Sequence, residues 1–141
     1  MENHELTEML IHALENSQDG FDSFRESFKQ CASAFEIGND QEGVRVLTGL
    51  IEPLKGFSRF CADMIGTHLA NIPEELFIQL GDQCETFQNL LADIIEEMEN
   101  NNFVEVGDIL KYDLGDLISS MSESFPKIAL ALRKTTPQTQ G

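Results

Sequence analysis

Four amphipathic helices packed as an antiparallel bundle are the fold this sequence predicts, and three observations carry that expectation. Apolar residues recur at steps of three and four along nearly the whole chain, which lines them up on one face of a helix. Gly, Pro and Asn gather near positions 38–39, 71–73 and 100–102, the kind of punctuation that ends one helix and opens the next. No stretch alternates apolar and polar residues as a half-buried strand does, and no hairpin turn sequence intervenes.

The first helix is expected over 5–36, with Leu6, Leu10, Ala13, Ser17, Phe21, Phe24, Phe28, Cys31 and Phe35 on its inner face. Gly20 weakens it by about 1 kcal/mol against Ala. That leaves room for a break between Asn16 and Gly20, but the stripe keeps its register and favours one helix. Gly38-Asn39 ends it. The second helix is expected over 40–69, with Asp40 as N-cap and Leu47, Leu50, Ile51, Leu54, Phe57, Cys61, Met64 and Ile65 inward. Pro53 cannot donate to Gly49, so a kink is expected between them. The third spans 73–100, with Pro73 at its first position and Glu74 and Glu75 in the acid-favouring first turn. Its stripe is Leu76, Leu80, Cys84, Phe87, Leu91, Ile94, Ile95 and Met98. The fourth spans 103–132 through Val106, Ile109, Leu110, Leu114, Leu117, Met121, Phe125, Ile128 and Leu132, with Pro126 kinking it or separating a last piece. Short connections make successive helices antiparallel neighbours. The bundle domain is therefore expected over 1–134, with 135–141 a disordered polar tail.

Charge narrows the function. Twenty-five acidic residues face nine basic ones, for a formal net charge of −16. Such a surface repels nucleic acid and anionic lipid, so the expected partner is a protein with a basic or an apolar surface. No apolar run approaches the roughly 20 residues of a membrane span. Cys31, Cys61 and Cys84 form no CxxC pair and no export segment opens the chain, so reduced thiols and a cytoplasmic location are expected. There is no Gly-rich phosphate loop, no GxSxG, no HExxH and no Glu-x-x-His pair. Neither an enzyme nor a cofactor is expected.

Four constellations remain. Pairing the first two helices about their turn brings His12 near His68, with Glu8 and Glu75 at the same end, a set that could hold a divalent metal such as zinc; two solvated histidines are the simpler reading. Cys61 and Cys84 fall level with each other, as a redox pair or, more simply, as core. Phe21, Phe24, Phe28 and Phe35, with Phe57 and Phe60, could line a ligand pocket or fill the core. Finally, Asp93, Glu96, Glu97 and Glu99 crowd the C-terminal turns of the third helix, where the dipole favours cations. A basic partner or a divalent cation would compensate, and Asp108 and Tyr112 would extend that surface; a solvated acidic face is the plain alternative. Phe77 and Ile78 point about 100° apart on their helix, so one of them is expected at the bundle edge, and Phe103 with Val104 poses the same problem at the other end. Asp93, Glu96, Glu97, Glu99, Asp108, Tyr112, Phe77 and Phe103 are the candidate partner-binding residues.

The segment Asp108-Ile109-Leu110-Lys111-Tyr112-Asp113-Leu114, after the Asn-rich turn from Glu99 to Asn102, resembles a pattern in a group of poorly characterised bacterial helical-bundle proteins. The resemblance implies a helical-bundle fold and no particular activity. Size and helix count are similar to those of bacterial flagellar export chaperones, an analogy of fold alone. The function expected is a non-enzymatic protein-interaction module, adaptor-like or export-chaperone-like. The alternatives are a small-molecule or metal-binding bundle and a structural oligomer subunit, with a homodimer among the possible assemblies.

Overall fold

The computed structural model describes residues 2–67 and 72–135, and among them every element is helical. These are α1 (Glu2–Glu15), α2 (Gln18–Glu36), α3 (Asp40–Thr67), α4 (Glu74–Glu99), α5 (Phe103–Asp108), a π-helical segment (Ile109–Leu114) and α6 (Gly115–Thr135). The last three follow one another without a gap. The polar tail expected after residue 134 lies outside the described residues, apart from Thr135 at the end of α6.

The first expected helix is two. Ser17 Oγ donates to the Leu14 carbonyl at 2.8 Å and Asn16 Nδ2 to the His12 carbonyl at 2.8 Å, local bonds that compete with helix propagation. Gln18 is held from outside: its Nε2 donates to the Ser122 carbonyl of α6 at 3.0 Å, and Ser122 Oγ donates back to its Oε1. Leu10, Ile11 and Leu14 are buried in α1, whereas Leu6 and Ala13 of the expected stripe are exposed. Phe21, Phe28, Cys31 and Phe35 take over in α2.

The other boundaries use recognisable caps. Gly38 adopts φ 81°; its N–H bonds the Phe35 carbonyl and that of Asn39 the Ala34 carbonyl, a Schellman closure that favours glycine. Asn39, one residue before the expected cap, accepts from the Glu42 N–H at 3.3 Å. α3 runs through Pro53 unbroken and α6 through Pro126, so no separate last piece forms. Pro73 is the N-cap of α4 rather than its first helical residue. Asn101, at φ 61°, repeats the Gly38 device at the end of α4.

The π-helical segment is the second departure. Val106, Leu110, Leu114 and Ile118 are all buried and spaced by four. An α-helix drifts about 40° per four-residue step, so three such steps would carry the stripe about a third of a turn off the core. The wider π turn, closed by i→i+5 bonds, takes up that drift. Ile118 thereby becomes fully buried, and Leu117, expected inward, is left half-exposed.

The core closes around Phe57 of α3, whose ring meets Phe21 and Phe24 of α2 at 5.8 and 5.9 Å, Phe87 of α4 at 5.2 Å and Phe125 of α6 at 6.0 Å. Phe103 of α5 stacks on Phe35 at 5.1 Å. At the outside, Arg133 of α6 forks onto Glu15 of α1 at 2.7 and 3.0 Å, and Lys111 reaches Glu36 at 3.0 Å.

Candidate functional site

A groove of about 500 Å³ runs between α4 and α6. Its base is polar but fully bonded. Gln83, 6 % exposed, donates through Nε2 to Ser120 Oγ at 2.8 Å and accepts from Ser124 Oγ at 3.2 Å. This satisfies both ends of a buried amide and pins α4 to α6. Ile78 and Leu117 form the apolar part of the groove, Glu75 and Asp82 its charged rim. Ile78 is 53 % exposed and its neighbour Phe77 38 %, so α4 presents both side chains partly to solvent. No Lys or Arg lies between Arg59 and Lys111, so α4 itself offers the groove no cation. Leu117 is available here because the π-helical segment has moved Ile118 inward in its place.

The remaining candidate partner residues fall on a second surface. Asp93, Glu96 and Glu99 are exposed, while Glu97 accepts from Asn102 Nδ2 at 2.7 Å. Val104, 72 % exposed, stands between two shallow hollows, one edged by Glu97 and Glu105, the other by Glu36 and Asp108. Tyr112 is exposed, with the Lys111 ammonium 5.4 Å from its ring centroid. Phe103 turns inward onto Phe35. Phe77 lies about 33 Å along α4 from Glu99, at 1.5 Å per residue, so Phe77 and the acidic turns do not form one site.

The proposed metal set is not gathered among the described residues. His12 is exposed, Glu8 pairs with Arg133 at 3.7 Å, Glu75 rims the α4–α6 groove, and His68 lies outside the described residues. No group of three or more His, Cys, Asp or Glu among the described residues is arranged to hold a metal ion. All three cysteines are buried and free. Cys31 Sγ donates to the Gly43 carbonyl at 3.3 Å, and burial pushes its thiol up to about 12. A hydrogen bond with Cys84, then burial, pushes the Cys61 thiol up. The same hydrogen bond lowers the Cys84 thiol against the effect of its burial, so Cys31 and Cys61, held neutral, are the poor nucleophiles of the three. Of the aromatic set, Phe21, Phe24, Phe57 and Phe60 converge with Phe125 on a cavity of about 220 Å³; Phe28 and Phe35 face elsewhere.

Sequence reasoning missed Gln83, Ser120 and Ser124, polar residues off the apolar stripes, and it missed the π-helical segment. The second had a signal: three successive steps of four, from Val106 to Ile118, are one too many for a regular helix to keep on one face. Among the described residues no helix is long and apolar enough to cross a membrane.

No curated protein and no solved structure matches the chain. A family model does, over residues 12–124, a span that takes in the α4–α6 groove, the lining of the aromatic cavity except Phe125, and the whole π-helical segment. The chain belongs to the family described as "Domain of unknown function (DUF8042)".

Proposed function

We propose that this protein is a non-catalytic interaction module, a bundle of antiparallel helical rods whose α4–α6 groove receives a basic, amphipathic helix from a protein partner. The observation that carries this reading is the groove itself: exposed Ile78 of α4 and half-exposed Leu117 of α6 beside the carboxylates Glu75 and Asp82, with no cation on α4. Fully burying an apolar side chain of this kind contributes about 1.5–3 kcal/mol, and with Ile78 at 53 % exposed about half of that is left to gain. The carboxylates favour Lys and Arg over acidic residues on the incoming face, and the net charge of −16 would steer such a partner from a distance. The free, buried thiols suit a reducing compartment, so we place the module in the cytoplasm. The ring contacts of Phe57 and the Arg133–Glu15 fork support the bundle reading. A second copy of the chain is the competing occupant, and like charge opposes it.

The test uses a synthetic Lys/Leu helix of about 18 residues, five turns long, and its Glu/Leu counterpart. Saturable binding of the Lys/Leu peptide is expected, with NMR shifts centred on Ile78, Asp82 and Leu117 and affinity falling as salt rises. Ile78→Glu is expected to weaken it about tenfold, or 1.4 kcal/mol, and Met9→Glu on α1 to leave it unchanged. Shifts spread evenly over the acidic surface and indifferent to Ile78→Glu would sink the reading. So would a concentration-dependent dimer, in light scattering, that Ile78→Glu abolishes.

A further inference from the structure

A second site lies at the break between α1 and α2. Five rings, Phe21, Phe24, Phe57, Phe60 and Phe125, wall the cavity of about 220 Å³, and Ala13, Ser17 and Gly20 form its mouth. None of these residues is charged, on a chain where 24% of residues are. Gly20 is the informative one. Its φ is not positive, and a Cβ placed on it meets nothing within 4 Å. Neither backbone strain nor packing requires glycine there, and Ala would strengthen the helix by about 1 kcal/mol. Gly20 lines the cavity and is itself exposed, so a long side chain there would crowd its opening. Glycine there keeps backbone open to close approach by a ligand. The mouth is also held in place, since Gln18 is tied to Ser122 of α6 from both ends of its amide.

We infer that this cavity binds a flat, uncharged aromatic molecule of one or two fused rings that carries a hydrogen-bond donor. Size sets the ring count: an apolar cavity of about 150 Å³ takes up benzene, and the larger volume here accommodates a fused pair. Ring edges and faces in several orientations around one space suit an aromatic guest over a branched aliphatic one. The Phe21 and Phe125 rings stand at 66°, and Phe24 and Phe57 at 71°. The donor is read from Ser17, whose hydroxyl proton is committed to the Leu14 carbonyl and whose oxygen is therefore left as an acceptor at the rim. The site is separate from the α4–α6 groove and stands whether or not that groove binds a partner helix.

The chain has no Trp, so the fluorescence of added indole or 2-naphthol can be followed directly. Saturable one-to-one binding of 2-naphthol to the full chain is expected. Gly20→Leu and Ala13→Leu should each weaken it at least about tenfold while circular dichroism and melting stay at or above the parent values. Ser17→Ala should weaken 2-naphthol several-fold and leave naphthalene unchanged. Gly49→Leu, at an equally open helical glycine on α3, should change neither. If Gly20→Leu fails to fold, Ala13→Leu decides. No saturable uptake by the parent chain, or equal uptake in the folded mouth variants, overturns the inference.

Discussion

Gly43 sits where the first turn of α3 passes the Phe35 ring, and the fit there depends on a missing side chain. A Cβ at this position would stand 2.6 Å from Phe35 Cδ1, and that ring is already stacked on Phe103. The Gly43 carbonyl also accepts from the buried Cys31 thiol, so the backbone has little freedom to withdraw. Helix propensity alone favours Ala over Gly by about 1 kcal/mol, but overpacking costs about 1–3 kcal/mol. Gly43→Ala is therefore expected to lower the urea midpoint, and Gly49→Ala, on open space in the same helix, to raise it. This pair was not legible in the sequence. Both glycines lie in one predicted helix, and only the ring packed against one of them separates their effects. The cysteines were legible, because each lay on an apolar stripe and each is buried.

At the scale of elements, the break at Asn16–Ser17 deprives α1 of continuity with α2, so α1 is held by its packing on α6 and by polar contacts outside that core. Its outer hold on α6 is Arg133, forked on Glu15 and within 3.7 Å of Glu8. The Arg133 hydrogen bonds hold the Glu15 carboxyl below the ordinary carboxylate range. A carboxyl with a lowered folded-state pKa contributes its stabilisation above the unfolded value and loses it as pH falls through the folded one. The clamp should accordingly be complete at neutral pH and be lost in acid, as pH falls through the lowered Glu15 value. The protection factors of α1 amides, corrected for the intrinsic slowing of exchange in acid, are expected to fall before those of α3 or α4. Arg133→Ala should bring the lower protection to neutral pH and weaken its acid dependence. Sequence periodicity foresaw α3 and α4 almost residue for residue because their stripes alternate threes and fours. It failed at α1 because Leu6, Leu10, Ala13 and Ser17 offered a second stripe of equal spacing beside the true Leu10–Ile11–Leu14 face. The local bonds of Asn16 and Ser17 and the long-range capture of Gln18 by Ser122 set where α1 ends.

The whole molecule joins an acidic exterior to an interior in which one aromatic ring touches α2, α4 and α6. The exterior was read directly from composition, and so was the absence of any cation along α4. The α4–α6 groove was half legible: Phe77 and Ile78 could not both face inward, but Leu117 and the Gln83–Ser120–Ser124 set needed the register of α6, which the π-helical segment fixes. That register has a consequence for the length of the chain. A π turn is what an α-helix becomes when it must house one residue more than its phase allows, so the stretch 109–114 holds a residue that can be taken out. Removing Asp113, which is exposed, should let the segment relax into ordinary α-helix while Ile118, Met121 and Phe125 keep their places. Removing exposed Glu123 from α6 should instead rotate every later residue off the core. Cooperative thermal unfolding with parent-like helicity is expected of the first deletion and not of the second. If both deletions are equally damaging, the π turn is not the store of a spare residue. If only the second is, the family can shorten its last helix by one position at this point without rebuilding its interior.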